Sequence, residues 1–320
     1  MSGGGSLKVR VAEIEPVAER IKRFRFVRTD GLPVPVFSGG AHIVVSMRDG
    51  GRLRRNPYSL MGSPAETGSY QISVLRTLDS RGGSVFMHDR VEVGSELEIS
   101  YPANLFPLDW RSKKHILLAG GIGITPVLAM ADQLFANGQT FEIHYAMRGR
   151  EQGAYWRQLQ QRYGSRVHVT FDEDGGAMPL AKLLERQPLG SSLYVCGPGP
   201  MIDWALRLAG NMGWPAESLH SERFLAPPGG KSFAVELAVS GKLVAVAEHQ
   251  SLLEAIEAAG VDAPYLCRGG ACGQCETMVV RCDGTLIHND HFLTDGEKAS
   301  GKRIMPCVSR FEGKTLVLER

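Results

Sequence analysis

The stretch Cys267-Arg-Gly-Gly-Ala-Cys272-Gly-Gln-Cys275 organises the C-terminal third of this chain, because its C-x4-C-x2-C spacing puts three thiols into one short loop. A fourth thiol, Cys307, follows after 31 intervening residues. Three close sulfurs and one distant sulfur are the spacing of a plant-type [2Fe-2S] cluster. The intervening residues are mostly small, so backbone N–H groups can close around the cluster and point at its sulfurs. The sequence therefore predicts that four cysteines hold a [2Fe-2S] cluster: Cys267, Cys272, Cys275 and Cys307.

Other arrangements of the cysteines and histidines fit less well. A structural zinc site usually presents its ligands as two separated pairs, whereas Cys307 stands alone. A disulfide framework is disfavoured, because six cysteines in 320 residues are sparse and the cluster takes four of them. Cys282 lies within a strand pattern, and we interpret it as a packing residue. His288 and His291 lie in a polar loop with no third ligand nearby, so we assign them no metal.

Length and composition indicate a multidomain globular protein. A chain of 320 residues predicts two or three domains, and a formal net charge of +2 predicts no nucleic-acid surface. No apolar run reaches the roughly 18 residues that a membrane span needs. The Gly- and Ser-rich lead, residues 1–6, lacks the apolar core of a signal peptide. Together with free thiols, these features predict a cytoplasmic protein that binds no membrane.

Residues 1–106 read as short alternating segments separated by turn residues, which predicts an antiparallel β-barrel or sandwich. Within this region, Ser80-Arg81-Gly82-Gly83-Ser84 leads into a helical pattern that continues to Arg90. Two glycines let the backbone approach a phosphate, Ser84 is expected to cap the helix, and Arg81 adds a forked positive charge. The stretch therefore predicts a phosphate cradle. Alone, it is equally typical of a solvated Gly-Gly turn capped by serine.

Residues 107–226 change to alternating strands and helices, which predicts an α/β domain with a parallel sheet. An apolar strand at 115–119 runs into Gly120-Gly121-Ile122-Gly123-Ile124-Thr125-Pro126 and then a helix, a combination that suits a pyrophosphate although it is not G-x-G-x-x-G. A second loop, Cys196-Gly197-Pro198, follows another strand. Ligands of such sheets bind at the carboxyl ends of the strands. Cys196 is therefore either a cofactor contact or a small buried hydrophobe.

The run Ala226-Pro227-Pro228-Gly229-Gly230-Lys231 has turn residues without periodicity, and we read it as a linker. After it, residues 231–320 begin with a hairpin whose turn is Ser240-Gly241, and Ser251 is expected to cap a helix that ends at Gly260. The cluster loop follows that helix. Residues 231–320 are therefore predicted to form a separate domain that carries the cluster.

With these three pieces in this order, the chain resembles the phthalate dioxygenase reductase family over essentially its whole length. The resemblance implies an antiparallel β-barrel flavin domain (1–106), an α/β nicotinamide domain with a parallel sheet (107–226) and an α+β ferredoxin domain of the β-grasp type (231–320). Within the family, the chain looks nearest the branch that serves carnitine and related quaternary-amine oxygenases. The R-G-G-S type of phosphate loop favours FMN over FAD.

The resemblance also implies roles for individual residues. In the family's R-x-Y-S segment the tyrosine and serine meet the flavin, which points to Tyr58 and Ser59. The position two before Tyr58 is Asn56 rather than arginine, and Arg55 stands one further back, so it stays open which of the two serves the flavin phosphate. The phosphate loop implied by the family is Arg81, Gly82, Gly83 and Ser84. The implied nicotinamide contacts are Gly120, Gly121, Gly123, Thr125, Cys196, Gly197 and Pro198. Phe224 is implied to lie near the flavin ring.

The three cofactors together predict an electron-transfer reductase. NADH delivers two electrons as a hydride and a [2Fe-2S] cluster accepts one, so a flavin must stand between them. Thr125 and Cys196 are expected to set the nicotinamide against the flavin, and Ser59 to donate a hydrogen bond near flavin N5. Plant-type clusters lie near roughly −400 mV, low enough to reduce a Rieske centre. The expected partner is therefore the terminal Rieske-type oxygenase of a two-component system, and we expect a monomer.

Two further choices stay open at this stage. Asp172 and Asp174 follow a strand and would take ribose hydroxyls, which favours NADH, whereas Arg148 would suit the 2′-phosphate of NADPH. The resemblance favours NADH. The alternatives to the oxygenase reductase are a reductase that acts alone or serves a di-iron monooxygenase, and, in another class, an iron–sulfur sensor or a zinc-held interaction module.

Overall fold

The structure is a computed structural model that describes residues 5–50, 52–78, 80, 82–176, 178–224 and 229–320, with Arg52 described for its backbone alone. The described residues separate into two compact units, one covering Gly5–Arg223 and the other the described part of Phe224–Arg320. The boundary predicted at residues 106 and 107 falls inside the first unit. The predicted linker residues Ala226, Pro227 and Pro228 lie outside the described residues.

The first region of Gly5–Arg223 is an antiparallel sheet whose seven described strands follow the order β4-β3-β6-β1-β2-β5, with β7 paired to β3. Its side chains alternate, so that one face of each strand fills a core around Phe24, Ile43 and Tyr70. The closed, antiparallel arrangement agrees with the predicted flavin barrel. The elements are Ser6–Ala18 (β1), Ile21–Arg28 (β2), Ala41–Asp49 (β3), Arg52–Ser59 (β4), Tyr70–Leu75 (β5), Gly83–Asp89 (α1), Glu96–Ser100 (β6) and Ala103–Asn104 (β7).

Helix α1 begins differently from the prediction. Its N-cap is Gly82, at a φ of 108°, and no side chain caps it, so the expected cap by Ser84 is wrong. The Ser84 hydroxyl instead donates to Ser80 Oγ at 2.9 Å and lies 3.2 Å from Thr77 Oγ1. Gly82 is required here because a residue with a side chain rarely adopts a φ near +108°.

The second region is a parallel sheet in the order β10-β9-β8-β11-β12 among the described strands, with helices on both faces. The strands β8 and β11 are almost entirely apolar because both of their faces are buried. This agrees with the predicted α/β domain. The elements are Lys114–Gly120 (β8), Ile124–Ala136 (α2), Phe141–Met147 (β9), Trp156–Tyr163 (α3), Val167–Phe171 (β10), Leu180–Glu185 (α4), Ser191–Cys196 (β11), Gly199–Asn211 (α5) and Leu219–Glu222 (β12).

The barrel and the parallel sheet share one hydrophobic core. Ile21 and Met61 of the barrel pack with Phe106, Leu108 and side chains of helix α2. Gly39 permits this close approach, because a Cβ at Gly39 would lie 2.7 Å from the Met130 Cα. The Gly39 N–H also donates to Gln133 Oε1 at 2.7 Å. The two regions are therefore held in a fixed mutual orientation by packing and by hydrogen bonds.

The second unit is a mixed sheet in the order β14-β13-β17-β15-β16 among its described strands. β13 and β17 are parallel, and the other pairs are antiparallel. Ser251 caps α6 through a reciprocal capping box with Glu254, which confirms the predicted cap. The elements are Phe233–Leu237 (β13), Lys242–Val246 (β14), Leu252–Ala258 (α6), Thr277–Ile287 (β15), Asp295–Ser300 (α7), Arg303–Ile304 (β16) and Arg310–Leu318 (β17).

Among the described residues, no helix combines the length and the hydropathy that a membrane span requires.

Candidate cofactor sites

The predicted flavin cradle is built by strand β4 and the loop before α1. Side chains of a strand alternate between its faces, so Arg54, Asn56 and Tyr58 project to one side. The Asn56 amide nitrogen lies 3.5 Å from the Tyr58 hydroxyl, as this arrangement requires. A Cβ on Gly83 would lie 2.2 Å from Asn56 Nδ2, and one on Gly82 would lie 2.7 Å from Arg54 Nε. The glycine loop therefore lies directly against two side chains of β4.

The loop also gathers hydroxyl groups. The Gly82 N–H donates to Ser80 Oγ at 3.1 Å, and Ser84 Oγ accepts from the Thr77 N–H at 3.3 Å. Ser84 is buried, so its hydroxyl is held within the loop. These hydroxyls can rotate to donate hydrogen bonds to the oxygens of a phosphate. The predicted contact Arg81 lies outside the described residues.

Tyr58 is the aromatic side chain of this cradle. Burial raises the pKa of its hydroxyl to about 12, while the hydrogen bond from Asn56 opposes the rise. The phenol is therefore neutral at physiological pH and presents an apolar ring with one polar end. Such a ring suits contact with an isoalloxazine or a ribityl chain. Arg55 projects to the opposite side of β4, so the structure separates it from Asn56 and Tyr58.

Two glycine loops meet at the carboxyl ends of β8 and β11. A Cβ on Gly123 would lie 2.3 Å from the Cys196 carbonyl oxygen, and one on Gly197 would lie 3.0 Å from the Gly120 nitrogen. A Cβ on Gly120 would lie 2.8 Å from Pro198 Cδ. Only glycine allows the two backbones to approach this closely. The structure thus brings together the loops that the sequence predicts for the nicotinamide cofactor, and Gly121 in the first of these loops has a φ of 53°.

Thr125 and Cys196 are both buried beside these loops. The Thr125 hydroxyl donates to the Ile122 carbonyl at 3.0 Å, which fixes its rotamer at the start of α2. Burial raises the pKa of the Cys196 thiol well above its ordinary value, and the nearby Glu222 carboxylate adds to the rise. Cys196 is therefore a neutral thiol and is no nucleophile at physiological pH.

The barrel meets the parallel sheet at Ser59. This serine is buried at the end of β4, and its hydroxyl lies 3.5 Å from Glu222 Oε2. Glu222 ends β12 and is paired in register with Cys196 of β11. Three polar groups from both regions therefore converge at one place. The sequence analysis did not single out Glu222, although it placed Phe224, two residues further along the chain, near the flavin ring.

The remaining predicted residues of this part are placed as follows. Phe224 is 48 % exposed and belongs to the second unit, so its contact with a flavin stays a prediction. Asp174 forms an ion pair of 2.8 Å with Arg150, which also binds Glu173. The backbone carbonyl of Arg148 accepts from the Glu173 N–H. A bound ribose at Asp174 would therefore compete with Arg150.

The cysteine loop of the second unit places its sulfurs in two pairs. A hydrogen bond from the Cys272 thiol is the largest cause that lowers the pKa of Cys267, and the N–H groups of Ala271 and Gly269 lower it further. The Gly269 N–H lies 3.3 Å from Cys267 Sγ. In the same way, a hydrogen bond from the Cys307 thiol lowers the pKa of Cys275.

The donor set fits a [2Fe-2S] cluster. Two irons with two thiolates each require two sulfur pairs, and the backbone N–H groups at Cys267 stabilise negative charge on sulfur. Positive φ values at Gly270 and Gly273 fold the loop, and a Cβ on Gly273 would lie 2.3 Å from the Phe292 ring. Arg268 forms a buried ion pair with Glu257 and lies 3.8 Å from the centre of the Tyr265 ring, which anchors the loop to α6.

Other potential ligands do not form a comparable site in the part of the chain that the structure describes. The Cys282 thiol lies within β15 and donates to the Gly284 carbonyl at 3.6 Å. Glu142, His144 and His168 offer ligand atoms within 4.8 Å of one another on the parallel sheet. The Lys114 ammonium, however, lies 2.7 Å from the Glu142 carboxylate, and a cation there opposes a metal ion.

Two family models match the chain. The model described as "Dimethylamine monooxygenase subunit DmmA-like, N-terminal domain" matches residues 103–219, and that of the "2Fe-2S iron-sulfur cluster binding domain" matches residues 235–312. The second match covers the four cysteines and the whole loop between them. The predicted iron–sulfur domain is therefore confirmed at the level of its family.

Individual relatives match nearly the whole chain, including the parts outside the two family models. The chain is 43 % identical to the carnitine monooxygenase reductase subunit of Acinetobacter baumannii, over 97 % of this chain and 96 % of that protein. It is also 43 % identical to the haem-dependent oxidative N-demethylase beta subunit of Ectopseudomonas mendocina, over 98 % of both. A solved structure of phthalate dioxygenase reductase, described as a modular structure for electron transfer from pyridine nucleotides to [2Fe-2S], is 35 % identical and superposes with a TM-score of 0.89 over 99 % of this chain and 98 % of that one.

Proposed function

Because the chain belongs to the phthalate dioxygenase reductase family, we propose that it passes electrons from NADH through FMN and a [2Fe-2S] cluster to a terminal oxygenase. One observation carries the proposal. The same chain that holds two sulfur pairs for a cluster also closes two glycine loops against each other beside Ser59, where a flavin and a nicotinamide would meet. It is thus an oxidoreductase that serves as the reductase component of an oxygenase system.

The cofactors supply the conversion between two-electron and one-electron transfer, because FMN exchanges both a hydride and single electrons. The residues of the chain hold and orient these cofactors. Tyr58 presents its ring to the flavin, and the Gly82-Gly83 loop receives the phosphate. Gly120 and Gly123 leave room for the pyrophosphate of NADH at the start of α2. Cys196, as a neutral thiol, packs beside the nicotinamide without reacting with it.

Ser59 and Glu222 form the polar side of the place where the two cofactors meet. The Ser59 hydroxyl donates toward the Glu222 carboxylate across 3.5 Å in the structure. A hydroxyl rotates freely, so Ser59 can donate to flavin N5 when FMN is bound. Thr125 keeps its hydroxyl on the Ile122 carbonyl, so its backbone N–H at the start of α2 is the group that we expect to meet the cofactor.

The terminal partner follows from the relatives. A Rieske-type oxygenase is the acceptor that we propose first, because a plant-type cluster near roughly −400 mV can reduce a Rieske centre. The name of the Acinetobacter relative, a reductase subunit of carnitine monooxygenase, agrees with an oxygenase as the acceptor. A haem-dependent N-demethylase is a second candidate, because the Ectopseudomonas relative of equal identity carries that name. We propose that the reductase is a monomer in the cytoplasm, where reducing conditions keep its cysteines from forming disulfides.

The function is tested by anaerobic titration of the purified protein. We expect about two irons, two sulfides and one FMN per chain, since a plant-type cluster contains two of each. NADH should bleach the flavin absorption and produce the low-temperature paramagnetic signal of a reduced binuclear cluster, whereas NADPH should need a higher concentration. Purified candidate oxygenases then identify the acceptor by NADH-dependent substrate turnover. A protein that contains zinc, or neither flavin nor sulfide, contradicts the proposal.

Ser59 gives a sharper prediction about this site. The Ser59→Ala variant should reduce bound FMN with NADH about 10-fold more slowly, because the loss of one hydrogen bond near N5 raises the barrier by roughly 1.4 kcal/mol. Stopped-flow measurement of flavin bleaching at saturating NADH checks it. Ser165→Ala, at an exposed position on the same unit, is the control. An unchanged rate in Ser59→Ala would remove the serine from the proposed site.

A further inference from the structure

We infer that Arg54 is the side chain of strand β4 that binds the FMN phosphate and makes the site selective for a phosphate monoester. This inference rests on the proposed FMN site. Arg54 is half-buried, and a Cβ on Gly82 would lie 2.7, 2.8 and 2.9 Å from its Nε, Nη2 and Cζ atoms. Since three guanidinium atoms are nearly equidistant from that point, the guanidinium packs directly on the backbone of the glycine loop.

The charge of the ligand requires a cation at this place. A phosphate monoester carries between one and two negative charges at neutral pH. Asn56, which stands two residues before Tyr58, reaches Gly83 but contributes only a neutral amide. Arg54 stands two residues further back, on the same side of the strand, and reaches the adjacent Gly82. Its planar fork of N–H donors matches two phosphate oxygens at once.

Arg55, the next residue of β4, carries the same charge as Arg54, but its side chain projects to the opposite face of the strand. Successive side chains of a strand point to opposite faces, so Arg55 projects away from the side that Asn56 and Tyr58 occupy. The close approach of Gly83 to the Asn56 amide and of Gly82 to the Arg54 guanidinium shows which side of β4 faces the loop. The chain thus offers two adjacent arginines, of which one contacts the glycine loop. This pair provides a matched comparison.

The experiment measures flavin binding rather than turnover. The full-length protein with its cluster is stripped of flavin, and the dissociation constants of FMN and riboflavin are determined by fluorescence quenching. We expect Arg54→Ala to raise the dissociation constant of FMN about 10- to 100-fold, which is the usual effect of removing a charge-assisted hydrogen bond. The dissociation constant of riboflavin should stay unchanged. The FMN affinity of Arg54→Lys should lie between those of the wild type and Arg54→Ala, because lysine keeps the charge but loses the planar fork of donors.

Two comparison variants locate the effect. Arg55→Ala should change the FMN-to-riboflavin affinity ratio by less than about 2-fold, because Arg55 points to the other face of β4. Arg90→Ala removes an exposed charge at the far end of α1 and shows how much the loss of any nearby positive charge changes the FMN-to-riboflavin affinity ratio. We expect this change to be as small as that of Arg55→Ala.

Each other outcome overturns the inference. If Arg54→Ala weakens the binding of FMN and of riboflavin equally, or weakens the binding of neither, Arg54 does not bind the phosphate. If Arg55→Ala gives the FMN-specific loss, that arginine is the phosphate ligand. A wild-type protein that binds neither flavin would overturn the proposed function as well, whereas wild-type FMN binding with an indifferent Arg54 would overturn this inference alone.

Discussion

Cys272→Ser should abolish electron transfer beyond the flavin and leave the flavin reaction intact. We expect NADH-dependent reduction of cytochrome c to fall by on the order of 100-fold or more, because substitutions around a metal centre already cost up to that factor outside the ligand set. Ferricyanide accepts electrons from the flavin, so its reduction should stay within about 2-fold. The two assays and the paramagnetic signal of the reduced cluster are measured on the same preparation.

Cys282→Ser is the matched control for that variant. Cys282 is another cysteine of the second unit, but it lies in β15 and its thiol donates a hydrogen bond to the Gly284 carbonyl of the same strand. We expect it to keep both activities and the cluster signal. If Cys272→Ser also lost ferricyanide reduction, the separation of flavin and cluster roles would be wrong. If Cys282→Ser lost the signal, the set of four ligands would need revision.

Gly123→Ala should have the largest effect in the nicotinamide region. The new Cβ would lie 2.3 Å from the Cys196 carbonyl oxygen and 2.5 Å from its carbon, which are backbone atoms and cannot rotate away. The two glycine loops must therefore separate. A displacement of about 1 Å at a cofactor site costs roughly 100-fold in rate, and we expect that loss in flavin reduction by NADH. The overpacking should also lower the free energy of unfolding by about 1 to 3 kcal/mol.

Gly210→Ala makes the same chemical change where there is room. Gly210 lies near the end of helix α5, and a Cβ there meets no heavy atom within 4 Å. Alanine is the better helix former by about 1 kcal/mol, so this variant should be as active as the wild type and at least as stable. Stopped-flow flavin reduction and denaturant unfolding are compared for both variants. Equal rates of flavin reduction and equal free energies of unfolding for Gly123→Ala and Gly210→Ala would show that the two glycine loops can separate without loss of function.

Features encoded by short-range spacing were predictable from the sequence. The loop from Cys267 to Cys275 defines its own chemistry, because its ligands are a few residues apart. The strand-loop-helix unit around Gly123 is also local, and its apolar strand is buried on both faces. The cap by Ser251 was predictable for the same reason, since the capping box spans three residues.

Features that depend on folding over long distances were not predictable. Strand β4 spans Arg52–Ser59, whose charged residues and proline hide the usual alternation of a strand. Glu222 meets Ser59 across 163 residues, and no local pattern marks it. Ser84 looked like a helix cap, but the neighbouring Ser80 and Thr77 hydroxyls bind it instead. Arg54 became distinguishable from Arg55 only when the glycine loop was placed against the strand.

The common core of the barrel and the parallel sheet has a consequence for thermal behaviour. Because Gly39 packs on the Met130 backbone and Phe106 packs in the core that the two regions share, we expect the two regions to unfold together. Scanning calorimetry should therefore record a single endotherm for the unfolding of the barrel and the parallel sheet, accompanied by release of the flavin. Loss of iron from the second unit, which has a hydrophobic core of its own, should leave that endotherm at the same temperature.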